Sequence, residues 1–181
     1  MRALLIICAF AVLPAAALAA CPPPLDIAEE EAALLAEVRG VENDRAAEPL
    51  TRALWKLWAT APDATAQALL DRGMAARAEW NFLDAIDAFD RLVDYCPDYA
   101  EGYNQRAFVN FLREDYETAL RDLDLALERR PTHVAAFSGK ALTLMGLGRA
   151  DEAQVVLREA LELNPWIPER GLLRPAPGED L

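Results

Sequence analysis

The residues of this chain that could do chemistry are few. Asp84, Asp87, Asp90 and Asp94 stand three to four positions apart. Paired carboxylates serve hydrolysis when one is held protonated and the other ionised. The same spacing also lines one flank of a helix, where acids opposite an apolar stripe form a solvated face. Nothing sets two of these acids apart, so the solvated flank is the reading taken and a carboxylate enzyme is the remote alternative. His133 is the single histidine and follows Pro131-Thr132. It is expected at the surface of a junction between helices. One histidine, three cysteines without ligand spacing and no calcium loop give no metal site. No GxSxG, P-loop, HExxH or GxGxxG pattern occurs. The sequence therefore predicts no catalytic residue, no metal and no cofactor.

Charge narrows the partners. The 181 residues include 30 acids and 18 bases, a net charge of −12. Phosphate binding needs a basic face, which excludes a nucleic-acid binder. An acidic surface steers towards a neutral or basic partner.

The N-terminus reads as an address. Arg2 precedes an apolar run from Ala3 to Leu13, and Ala17-Leu18-Ala19 offers an A-x-A cleavage site. This is the layout of a signal peptide over 1–20, and it implies export. Its removal takes Arg2 and Cys8 and no acid, moving the net charge from −12 to −13. Cys21 then has two fates. Leu18-Ala19-Ala20-Cys21 resembles the bacterial lipobox, in which that Cys carries lipid and anchors the protein to the cell envelope. Alternatively Cys21 and Cys96, the two cysteines left in an oxidising compartment, form a disulfide. Lipidation consumes the thiol, so the fates exclude each other.

The elements that position everything else come from a repeat. Pro97, Pro131 and Pro165 are 34 residues apart. Placing each at position 32 gives windows 66–99, 100–133 and 134–167. Small residues recur at position 8 (Gly73, Ala107, Ala141) and position 20 (Ala85, Ala119, Ala153), and large apolar ones at position 24 (Phe89, Leu123, Leu157). Small residues at 8 and 20 let two antiparallel helices approach, position 24 fills the seam, and Pro ends each unit. Helices are predicted at 66–79, 82–95, 100–112, 116–129, 134–146 and 150–163, with Asp115 capping one of them.

This register, with segments such as YETALRDLDLALERRP and ADEAQVVLREALELNP, resembles the tetratricopeptide repeat. The alanine-rich leader and general style are similar to exported alphaproteobacterial members. The resemblance implies an all-α fold, a right-handed α-solenoid of antiparallel helix pairs. It departs from the family at position 7, where Arg72, Arg106 and Lys140 replace the frequent Leu. Upstream, Ile27–Arg39 and Ala46–Thr60 read as a degenerate hairpin within 21–65, expected to cap the stack at its N-terminal end. Residues 168–181 follow as a short helix and loose tail, with Trp166–Leu173 read as the helix. In an up-down solenoid Cys21 and Cys96 fall on the same edge, which favours the disulfide over the lipid.

The resemblance also implies a concave groove lined by the first helix of each pair. By position it would contain Asp71, Met74, Glu101, Asn104, Gln105, Phe108, Ser138 and Leu142, with Phe108 and Met74 as anchors and Asn104 and Gln105 as backbone readers. The basic clamp of a well-known subclass is absent. The expected function is a non-catalytic scaffold for a protein or peptide in the periplasm. The alternative is a membrane-tethered lipoprotein adaptor, touching membrane only through the leader or a lipid at Cys21.

Overall fold

The small-residue seams form as their spacing demands. The structure is a computed structural model that describes residues 20–175. The expected leader and the tail at 176–181 lie outside the described residues, apart from Ala20. The helices are α1 (Ala28–Gly40), α2 (Asp44–Trp58), α3 (Ala64–Ala78), α4 (Phe82–Tyr95), α5 (Ala100–Leu112), α6 (Tyr116–Arg129), α7 (Val134–Gly146) and α8 (Ala150–Leu163), then a 3-10 turn at Pro168–Leu172. Helices α3 with α4, α5 with α6 and α7 with α8 form hairpins, and α4–α5 and α6–α7 contacts stack them into an α-solenoid. Ala85, Ala119 and Ala153 are fully buried, as are Phe89 and Leu157, with Leu123 nearly so. Gly73 shows how close the seam is: a Cβ there would lie 2.6 Å from Phe89 Cζ.

Position 7 explains its own departure from the repeat pattern it resembles. Its basic residues tie the first helix of a hairpin to acids on second helices: Arg72 to Asp87 (3.8 Å), Arg106 to Asp122 (2.6 Å) and Asp90 (2.8 Å), and Lys140 to Asp124 (2.7 Å). Burial opposes the charge on Arg106, but the hydrogen bonds and charges of Asp122 and Asp90 outweigh it and raise its pKa above the ordinary arginine value. Asp84, Asp87, Asp90 and Asp94 are exposed, as a solvated flank requires.

Capping sets the helix starts. Asp115 accepts from the Thr118 N–H and Asp63 from the Ala66 N–H. That bond, with a second from the Tyr95 hydroxyl at 2.8 Å, holds the Asp63 carboxyl below the usual carboxylate range. A depressed folded-state pKa gives stability that is present above the unfolded value and lost as pH falls through the folded one. Asp63→Ala should therefore unfold at lower urea than wild type at pH 7, with the gap closing as pH falls below 4. A gap constant with pH would reject the charged cap.

The N-terminal hairpin departs from expectation. Helices α1 and α2 do not stack on α3 as an end cap; they lie along the edge formed by the three Pro junctions. The Trp58 ring stacks on His133 at 4.4 Å, and the Tyr99 hydroxyl donates to the Trp58 carbonyl. Asn164 Nδ2 donates to Thr51 Oγ1, Trp166 Nε1 to the Val38 carbonyl at 3.1 Å, and Arg170 pairs with Asp44. Side-chain size accounts for this. With Pro62 matched to Pro97, the small-residue positions of the hairpin fall on Val38 and Leu50. These residues prevent the close seam that Gly73 and Ala85 allow. The hairpin instead buries Leu35, Leu54 and Trp58 against Val134, Leu144 and Ile167. Cys21, ahead of α1, is disulfide-bonded to Cys96 after α4, with Cα atoms 5.1 Å apart.

Candidate functional site

A cavity of about 690 Å³ lies where α2 faces the concave side of the stack. Its floor comes from α3 (Met74, Arg77), α5 (Asn104, Gln105, Phe108, Phe111) and α7 (Ala135, Ser138, Leu142). Its side wall comes from α2 (Thr51, Leu54, Trp55) and the segment from Asn164 to Glu169. The volume is within the ~300–1,000 Å³ of ordinary ligand sites, and the apolar share of the lining is what such sites use. Phe108 is 44% exposed and Trp55 42% exposed, both large apolar surfaces left open.

The expected groove residues divide by what they touch. Met74, Phe108, Ser138 and Leu142 line the cavity. Arg77 caps Phe108, its guanidinium carbon 4.7 Å from the ring centre, and donates to Gln105 Oε1. Burial lowers the Arg77 pKa, partly offset by the charge of Glu101. Asp71 is exposed, accepts from Gln67 and is not among the lining residues. Asn104 and Gln105 contribute to the floor, yet both are buried and spend their amide donors on Glu101. They hold the floor together rather than present free donors.

Glu101 is the hub of that floor. It is 1% exposed and accepts from Asn104 Nδ2 at 3.0 Å and from Gln105 Nε2, and it meets His133 Nε2 at 2.8 Å. His133 Nδ1 accepts from the Ala136 N–H at 3.3 Å. An acceptor at Nδ1 and a carboxylate at Nε2 place the ring proton on Nε2. His133 is fully buried, not a surface junction residue. Its burial comes from Trp58, which no repeat position marks. Above the same edge, Glu31 accepts from Trp58 Nε1 (2.6 Å), Arg130 Nη1 (2.9 Å) and Thr132 Oγ1 (2.9 Å), locking α1 onto the second junction.

Sequence reasoning missed the α2 wall: Trp55 and Trp58 sit three apart on one helix face, and no repeat position marks either of them. The arrangement offers an apolar surface with two open aromatic rings, Phe108 and Trp55.

The described geometry has counterparts. Residues 111–166 match the family model for the tetratricopeptide repeat. A TPR repeat-containing protein of Rhizobium etli is 30% identical over 108 residues, covering 60% of this chain and 53% of that one. A tetratricopeptide repeat protein 36 homolog of Nematostella vectensis is 37% identical over 65 residues, covering 36% of each chain. The chain thus spans about half or less of the length of these relatives. Among solved structures, the first TPR of Spaghetti (RPAP3), bound to an HSP90 peptide, superposes with a TM-score of 0.58 at 23% identity, covering 60% of this chain and 86% of that one. The 34-residue period agrees with that match: residues 111–166 are similar to the tetratricopeptide repeat, and the stacked helix pairs share the fold of solved tetratricopeptide repeat domains.

Proposed function

We propose that the chain is a non-catalytic scaffold that holds a protein or peptide segment in the cavity between α2 and the concave face, outside the cytoplasm of a bacterium. The observation that carries this is the pair of open aromatic surfaces, Phe108 on the floor and Trp55 on the wall, lining one apolar cavity. Buried aromatic anchors supply most of the free energy at such sites. The acidic chain favours neutral or basic segments. The Cys21–Cys96 bond supports an oxidising compartment, in line with the leader-like N-terminus.

The test is a titration against immobilised apolar peptides of basic, neutral and acidic composition. Basic and neutral peptides should bind, and Phe108→Ala should weaken them about 10-fold to 30-fold. Asp71→Ala, outside the cavity, should leave affinity unchanged. Affinity that survives Phe108→Ala, or that favours acidic peptides, overturns the reading.

A further inference from the structure

The three repeats act as internal controls for one another, and one surface fails the comparison. The turn between the helices of each pair passes through a left-handed residue: Trp80 (φ 59°), Glu114 (φ 61°) and Gly148 (φ 74°), spaced 34 apart. Glycine is the residue this conformation favours, and a bulky side chain there is strained. Yet position 80 carries tryptophan, 74% exposed. Three residues on, the first repeat has Leu83, 76% exposed, where the others have Glu117 and Asp151. Trp80 also packs on Phe82 with the rings tilted at 52° and their centres 5.7 Å apart. The fold needs none of this apolar surface, since the same turn forms twice without it.

The surroundings of this knob have one sign. The edge carrying the three turns holds Glu79, Asp84, Glu114, Asp115, Glu117, Asp151 and Glu152, against Arg113, Arg149 and Arg174, the last paired with Asp151 at 3.0 Å. Arg149 is already paired with Glu152 at 2.7 Å. We propose that Trp80 and Leu83 form a second docking surface, separate from the cavity, for a folded protein partner that offers an apolar pocket rimmed by basic residues. Complementary charge selects that partner: the acidic edge repels anionic lipid, nucleic acid and a second copy of this acidic chain. An exposed tryptophan seated in such a pocket is the usual form of an interface hot spot. A chain with two independent surfaces joins two partners.

The test places a photoreactive phenylalanine analogue at position 79, beside the knob, and at position 113 as the repeat-matched control. Crosslinking in cells should give an adduct at 79 and none at 113, to a protein with a basic surface. That protein, purified, should bind wild type in a salt-sensitive way, and bind Trp80→Gly and Leu83→Glu about 30-fold more weakly or worse. Phe108→Ala should leave this affinity unchanged, which separates the surface from the cavity. Trp80→Gly relieves the strained φ and should melt no lower than wild type, so lost binding is not lost folding. Equal labelling at 79 and 113, an adduct to a second copy, or affinity unaffected by both variants overturns the proposal. So does a blue shift of tryptophan emission on phosphatidylcholine vesicles that Trp80→Gly abolishes, which would assign the knob to a membrane surface.

Discussion

Replacing His133 by alanine is expected to cost the fold about 3–5 kcal/mol in urea unfolding, the scale for truncating a large buried ring to alanine. Three losses coincide. The fully buried ring leaves a cavity. Trp58 loses the face it stacks on at 4.4 Å. Glu101 loses the donor at 2.8 Å and keeps Asn104 and Gln105. His133→Gln, which can place an amide N–H near Glu101, should recover part of the loss. A cost below about 1 kcal/mol for the alanine variant would show that the hub contributes little, because even one unsatisfied buried acceptor costs that much. Since Glu101 and its amide partners form the cavity floor, the same variant should also weaken peptide binding at temperatures where it remains folded.

The second large effect concerns the disulfide. Cys21 and Cys96 are 75 residues apart in sequence, and closing a loop of that length removes about 4 kcal/mol of unfolded-chain entropy. The double variant Cys21→Ser, Cys96→Ser should be less stable than oxidised wild type by about 2–4 kcal/mol. Wild type in reductant should match the double variant. A loss under about 1 kcal/mol would mean that residual structure in the unfolded chain already supplies most of that constraint. Intact mass of the exported chain reports the chemistry directly. A value two hydrogens below the reduced chain accompanies the disulfide. A gain of diacylglycerol and acyl groups would place lipid on Cys21 and leave Cys96 as a buried thiol.

Much of this molecule is written at fixed spacing. Gly73, Ala107 and Ala141, with Ala85, Ala119 and Ala153, mark the seams because only small residues let helices touch, and the helix spans follow. Position-by-position transfer also found Met74, Phe108, Ser138 and Leu142 on the cavity floor. What it could not give is anything set by α1 and α2. Their docking depends on Trp58 meeting His133 and Glu31 meeting Arg130, pairs 75 and 99 residues apart with no periodic signature. His133 looks like a surface residue until Trp58 covers it. Asn104 and Gln105 look like free amides until Glu101 is seen to be buried beneath them. The cavity wall was illegible for the same reason: repeat logic describes neighbours, and α2 is not one.

The edge-spanning hairpin changes how the chain comes apart. In a simple solenoid each unit touches only the next, so unfolding frays from either end. Here α2 continues covalently into the first repeat and also grips Asn164 and Ile167 at the end of the third. The terminal repeat is thereby held by the opposite end of the chain. Such closure replaces fraying by a concerted transition, in which amide hydrogens of α3 and α8 exchange at a common opening free energy. It also makes the final folding step a contact of long sequence separation, slower than the local pairing of the repeats that precedes it.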